Sequence, residues 1–194
     1  TEGRVLVSGR LLADIARALP SAPVELVRDG SRLAVQCGRS SFMLPTLSVD
    51  DYPALPTMPS TTGTVAGDVF AAAVAQVAVA AGRDDTLPTL TGIRVEIEGG
   101  TVTMAATDRY RLAVREFAWT PAKPGVSATA LVPARVLADT AKTLANASEV
   151  AISLPGGGSD GLVGFEGHGR RTTTRLLDGE FPKYRALLPS ESTT

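Results

Sequence analysis

One histidine, His168 in the string EGHGRR, is all the imidazole this 194-residue chain holds. A Ser-His-Asp triad or a multi-histidine metal site would rest on that one side chain, and the flanking glycines read more simply as a surface turn. Asp84 and Asp85 in GRDDT offer two carboxylates for a divalent metal or an acid/base pair. Adjacent residues just past a helix end usually point apart, so solvated charges are the plainer reading. The string GGGSDG, Gly156 to Gly161, has the glycine content of a phosphate cradle, but no Lys-Ser or Lys-Thr follows and no helix opens there. It reads as a hairpin connection. A metal-dependent hydrolase using Asp84, Asp85 and His168 therefore has little support, and the expectation is a non-enzyme with no metal or cofactor. Cys37, the sole cysteine, excludes an internal disulfide and suits a reducing compartment.

The basic side chains are more informative. Arg10 and Arg17 lie seven residues apart, and Arg135 and Lys142 repeat that spacing, so each pair falls on one face of a helix about two turns long. Two equivalent basic stripes could face a phosphate backbone. The plainer alternative is a solvated face with Asp14 and Asp139 paired to the basic residues at i, i+4. Recurrence of the stripe favours the phosphate reading, and a net charge of −1 means that any nucleic-acid contact must come from local arrangement.

The elements that carry these stripes are copies of one unit. Val5 to Leu19 (VLVSGRLLADIARAL) and Ala130 to Leu144 (ALVPARVLADTAKTL) match at eight of fifteen positions without a gap, where average usage gives roughly one. VDDYP at Val49 to Pro53 and DGEFP at Asp178 to Pro182 follow at similar distances, the second four residues later, which fits an insertion in Gly156 to Gly161. Each copy is expected to run strand, helix, then more strands. Helices are expected over Arg10 to Leu19, Asp68 to Ala81 (with Gly82 as the stop) and Ala134 to Leu144. Hairpins are expected about Asp29-Gly30, about Gly99-Gly100 and around the glycine string, with a further strand over Arg111 to Phe117. Alternation in Ile93 to Glu98 predicts one buried and one wet sheet face. Asp51 to Gly63, with three prolines, reads as a linker. No apolar run approaches the roughly 20 residues of a membrane span, and no signal-peptide pattern is seen, so a cytoplasmic location is expected.

ATDRYRLAVRE (Ala106 to Glu116) resembles the bacterial DNA polymerase III β subunit family, the sliding clamps of replication. LVPARVLADTAK (131–142), LLDGEFPKYRALLP (176–189), AAGRDDTLPTLTGIRVE (80–96) and GRSSFMLPTLSVDDYPAL (38–55) are similar to it in the same order. The resemblance implies an α+β DNA-clamp fold of repeated helix-plus-antiparallel-sheet units, with helices on the DNA-facing side and sheets outside. It implies the C-terminal half of a first domain over 1–58 and a complete second domain over 59–194. The first half-domain and third domain of the family would be absent, so the chain is expected to be a fragment that does not close the dimeric ring by itself.

The implied function is a processivity factor that encircles duplex DNA without sequence preference and tethers polymerase and clamp-loader subunits through short linear motifs. Arg10, Arg17, Arg83, Arg135 and Lys142 are the candidate DNA-facing residues. Carried over from the family, the second-domain wall of the peptide pocket is Leu90, Thr107, Arg109, Tyr110, Arg111, Leu112, Pro182, Ala186 and Leu187. Many clamps have Gly-His where this chain has Arg109-Tyr110. Phe42 and Leu44 resemble apolar residues of the subunit interface and are expected to be exposed in a fragment. A stand-alone peptide-binding module made from clamp parts is the alternative.

Overall fold

The computed structural model describes residues 3–155 and 161–188, and the chain forms two compact units, Thr1–Leu55 and Pro56–Thr194. In the first unit Ser8 opens helix α1 (Gly9–Ala18), its Oγ accepting from the Leu11 N–H at 3.4 Å, and Pro20 follows the last turn. Strands β1 (Val24–Asp29), β2 (Arg32–Cys37) and β3 (Ser40–Pro45) form an antiparallel meander, turning at Gly30, whose φ of +55° suits glycine. Register pairs Leu33 with Leu44 and Val35 with Phe42, and this face packs against Leu12, Ile15 and Leu19 of the helix segment.

Leu44 is therefore fully buried and Phe42 half-buried. This corrects the expectation that both would be exposed: they point at the unit's own helix. The core covers β2 and β3 only, and all six residues of β1 are exposed. The strand expected ahead of α1 is reduced to one bridge between Leu6 and Leu47.

The second unit begins inside the expected linker. Thr62 donates its N–H to the Ile152 carbonyl at 2.8 Å, and β4 (Gly63–Val65) starts one residue later. A Cβ at Gly63 would lie 2.5 Å from the Trp119 ring and 2.6 Å from the Thr120 carbonyl oxygen, so glycine is needed for this approach. Then come α2 (Gly67–Ala78), β5 (Gly92–Glu98), β6 (Thr101–Thr107), β7 (Leu112–Ala118), β8 (Thr120–Pro121), β9 (Ser127–Pro133), α3 (Ala134–Leu144), β10 (Val150–Ser153), β11 (Leu162–Gly167) and β12 (Arg170–Arg175).

Helix α2 stops three residues short of the expected Ala81, because the Ala80 and Ala81 N–H groups donate to Val77 and Ala78 in a tighter turn. The Gly82 N–H then reaches the Leu90 carbonyl at 2.7 Å and closes the loop that follows. Part of the glycine string, residues 156–160, lies outside the described residues.

A helix followed by a three-stranded meander thus occurs three times, led by α1, α2 and α3. In the second unit two such repeats exchange strands: β4, ahead of α2, pairs with β10, and β9, ahead of α3, pairs with β5. The sheets run β12-β11-β10-β4-β8 and β7-β6-β5-β9. Both helices pack together over one shared core, in which Phe70, Val74, Leu137 and Leu144 meet Ile93, Met104, Ile152 and Phe165.

The wet face expected for the second sheet is half covered. Leu131, Arg94, Ala105 and Val114 form one outward row across its four strands. Phe181, Tyr184 and Leu177 settle on its apolar members, with Leu112 beside them. A strap over residues 177–188 therefore crosses the outside of this sheet, tied at one end by the Leu177 N–H donating to the Leu131 carbonyl at 2.8 Å. Among the described residues no helix is long and apolar enough to cross a membrane.

Candidate nucleic-acid and peptide interfaces

Each of the two repeat helices presents its basic pair to solvent. On α1, Arg10 and Arg17 are exposed, and Arg17 Nη1 lies 2.7 Å from Asp14 Oδ1; on α3, Arg135 and Lys142 are exposed, and Lys142 Nζ lies 3.6 Å from Asp139 Oδ1. Pairing is thus i, i+3 toward the C-terminal member, not the i, i+4 pairing weighed from spacing. It leaves Arg10 and Arg135 outside any ion pair among the described residues. Exposed pairs of this kind contribute about 0–1 kcal/mol, little enough for a phosphate to displace the aspartate. Arg83, just past the end of α2, joins Arg135 in lining a 570 Å³ cleft with Asp85, Thr91 and Pro133.

The other side of the Arg83 loop lines a second cleft, of 620 Å³, with Leu87 and Leu90 and the turn Asp108 to Arg111. That turn is held by its own polar groups. Asp108 Oδ1 accepts from the Tyr110 and Arg111 N–H groups, both at 3.1 Å, and its Oδ2 accepts from Arg111 Nε at 3.0 Å. Thr107 Oγ1 accepts from the Arg109 N–H at 3.2 Å and donates to the Arg111 carbonyl at 2.7 Å. Burial works against the Asp108 charge, but the bonds from Tyr110 and Arg111 prevail and hold its carboxyl below the usual range. Across the cleft, the Thr86 hydroxyl and N–H lower the Asp84 carboxyl, with a smaller contribution from the Arg109 charge.

Arg109 has a φ of +80°, in the left-handed region that favours glycine. The bend leaves Tyr110 90% exposed beside the cleft. Two guanidinium groups, a projecting ring and an apolar floor can together grip a short extended peptide, with apolar side chains inward and carbonyls or carboxylates on the arginines.

The nine residues expected in the peptide wall are only partly brought together. Leu90, Arg109, Tyr110 and Arg111 share the larger cleft. Pro182 and Ala186 line a separate 400 Å³ cleft on the strap, and Leu187, 72% exposed, sits at the end of the short 3-10 turn Tyr184–Leu187. Leu112 packs beneath the strap, Thr107 is buried, and Leu90 is only 8% exposed, a core position. Leu87 and Asp84 line the larger cleft without a signal in the sequence that distinguishes them from loop residues.

A third cluster lies under the strap. Glu96 on β5 accepts hydrogen bonds from Arg94 Nε at 2.5 Å, Arg185 Nη2 at 2.6 Å and the Tyr184 hydroxyl at 3.0 Å, and its side chain is only 11% exposed. Burial opposes its charge, yet the donors from Arg185, Arg94 and Tyr184 outweigh that and keep the carboxyl below the ordinary glutamate range. Burial, then the bond to Glu96, raises the Tyr184 hydroxyl.

The residues of the hydrolase alternative occupy different elements. His168, φ +50°, and Gly169 form the two-residue turn between β11 and β12, while Asp84 and Asp85 lie in the loop after α2. No group of three metal-ligating side chains is found among the described residues.

Repeated helix-plus-meander units with paired helices over two antiparallel sheets define the DNA-clamp class of fold. Solved sliding clamps share it: that of Bacillus subtilis superposes with a TM-score of 0.85 at 27% identity over 98% of this chain and 50% of its own. A Pseudomonas aeruginosa sliding clamp bound to griselimycin superposes with a TM-score of 0.85 at 28% identity, over 97% of this chain and 51% of its own. Residues 64–183 match the family DNA polymerase III beta subunit, central domain, and residues 1–56 match its N-terminal domain, so the chain belongs to the DNA polymerase III beta subunit family. The beta sliding clamp of Streptomyces coelicolor is 65% identical over 98% of this chain, and the beta sliding clamp homolog GriR of Streptomyces muensis is 48% identical over 99% of it. The chain spans about half, 51%, of the length of each of these relatives.

Proposed function

We propose that this chain supplies part of a processivity clamp of DNA replication, contributing basic helix faces to duplex DNA and one wall of a site for short partner peptides. The carrying observation is the Arg83 loop, which lines a basic cleft with Arg135 on one side and an arginine-, tyrosine- and leucine-lined cleft on the other. One element thus borders a surface suited to phosphates and a surface suited to an extended peptide. A clamp must slide, which requires phosphate contacts that carry no sequence information. Arg10, Arg17, Arg83, Arg135 and Lys142 have that character, being exposed cations on helices and a loop. Non-catalytic tethering follows from the same reading, as do the ring-shaped homodimer of the parent protein, the polymerase and clamp-loader partners, and the domain division at 58/59. Phe42 and Leu44 bear on the subunit contact only if β3 opens or extends, since Leu44 is inside the unit.

The test is a backbone-amide NMR titration of the full chain, once with a mixed-sequence duplex and once with griselimycin. The duplex should shift α1, α3 and residues 82–88; griselimycin should shift 108–112 and 184–188. Griselimycin shifts confined to α1 and β1, or duplex shifts that avoid both helices, would overturn the reading.

A further inference from the structure

The strap that carries Pro182, Ala186 and Leu187 is held on the sheet by two kinds of contact. Phe181 and Tyr184 are buried, 6% and 3% exposed, against Ala105 and Leu131, with Leu112, Val114 and Leu177 around them, and their rings meet edge to face at 6.1 Å. Apolar burial of this sort fixes the strap against the sheet but is tolerant of sliding and rotation. The Glu96 carboxylate adds direction. It receives one donor from its own strand, Arg94, and two from successive strap residues, Tyr184 and Arg185. Two consecutive strap side chains aimed at one carboxylate fix the rotation of the 3-10 turn about its axis, because the bonds cannot both persist if the turn rolls. The Arg185 guanidinium also lies 5.7 Å from the Tyr184 ring centroid, which braces the pair. Ala186 and Leu187 follow immediately, so the direction in which they face is set by the same clasp.

We propose that Glu96 is a positioning residue for the peptide site: through Tyr184 and Arg185 it orients the Pro182–Leu187 segment, and through that segment it sets the affinity of the site for its occupant. Glu96 itself remains under the strap, its three acceptor bonds already made. Tyr184 and Arg185 act as the two reins of one anchor. The ligand half of this statement rests on the peptide site proposed above; the orienting half does not.

The experiment uses the full chain with Glu96→Ala, Glu96→Gln, Tyr184→Phe and, as a wall variant, Leu187→Asp. Amide hydrogen exchange of residues 184–188 is measured alongside that of β5 and β9, and fluorescence polarisation follows labelled griselimycin. Glu96→Ala should speed strap exchange at least tenfold with the β5 and β9 amides unchanged, and weaken griselimycin roughly tenfold. Glu96→Gln, which keeps a carbonyl acceptor, should fall between it and the parent. Tyr184→Phe keeps the buried ring and removes one donor, so it should loosen the strap even if Glu96→Ala does not fold. Unchanged strap exchange in Glu96→Ala or, if that fails to fold, in Tyr184→Phe overturns the proposal whatever griselimycin does. A loosened strap with unchanged griselimycin affinity, while Leu187→Asp abolishes binding, also overturns it and leaves the site in place. If the parent binds no griselimycin, or Leu187→Asp binds as the parent does, the peptide site itself fails and the ligand half falls with it; strap exchange then decides the orienting half alone.

Discussion

Exposure divides the candidate peptide residues into those that should govern binding and those that should govern folding. Leu187 is 72% exposed and Leu90 is 8% exposed. Fully burying a leucine side chain yields about 1.5–3 kcal/mol, so a ligand that covers the exposed part of Leu187 gains roughly 1–2 kcal/mol. Leu187→Ala should therefore weaken griselimycin roughly five- to thirty-fold. It should leave unfolding within about 0.5 kcal/mol of the parent, since little of the side chain is packed. Leu90→Ala should do the reverse, costing about 2–5 kcal/mol of stability through a cavity below the Arg83 loop. Urea denaturation and fluorescence polarisation on the same preparations separate the two effects. Griselimycin affinity unchanged in Leu187→Ala, or a loss of stability above about 1 kcal/mol in that variant, would refute the division.

Three further outcomes follow from named contacts. Asp14→Asn with Asp139→Asn frees Arg17 and Lys142 from their aspartates and should strengthen duplex binding while steepening its log-log salt slope by up to about 2 units, as read by titration at several salt concentrations. Equal slopes in parent and variant would mean that these ion pairs do not compete with phosphate. Arg109→Gly should stabilise the chain by about 0.5–1 kcal/mol in urea denaturation, because glycine relieves the left-handed backbone at φ +80°, whereas Arg109→Ala keeps the strain and should not; destabilisation by Gly would contradict this. Glu96 is more acidic in the folded chain than in the unfolded one. Its contribution is therefore fully present above the ordinary value of about pH 4.3 and lost as pH falls through the lower folded value, so NMR signals of residues 184–188 should hold at about pH 5 and broaden only once the pH is below that ordinary value. Loss of the strap already above pH 5 would point to another group.

Local regularities were legible in the sequence. The helix over Ala134 to Leu144 has the same bounds in the structure, and the turns at Gly30 and at Gly99-Gly100 join the strands expected on either side. The repeat announces two of the three helix-plus-meander units, those led by α1 and α3, because its signal is the sequence itself; the unit led by α2 was legible from its own helix, hairpin and strand patterns. What escaped depends on contacts distant along the chain. Arg94, Glu96 and Glu98 look wet by alternation, and nothing local shows that Tyr184 and Arg185 reach Glu96 across 88 and 89 residues. The RRTTTR strand β12 has no apolar face to announce it, as suits a basic sheet edge. Thr62 and Gly63 looked like linker because their pairing partner, β10, lies far downstream. In the candidate site the residue types were legible, but burial decides which side chains are free: Leu44 and Leu90 are inside, Tyr110 and Leu187 are not.

The most direct test of the clamp account is duplex binding by the full chain as a function of salt, beside a variant carrying Arg10→Glu, Arg17→Glu, Arg135→Glu and Lys142→Glu. Each phosphate contact contributes about 0.9 to the log-log slope, so four lost contacts should flatten it by about 3–4 units, weaken binding alike for AT-rich and GC-rich duplexes, and leave griselimycin affinity unchanged. Parent and variant binding duplex equally at low salt, with the same slope, would contradict the claim that these helices face DNA.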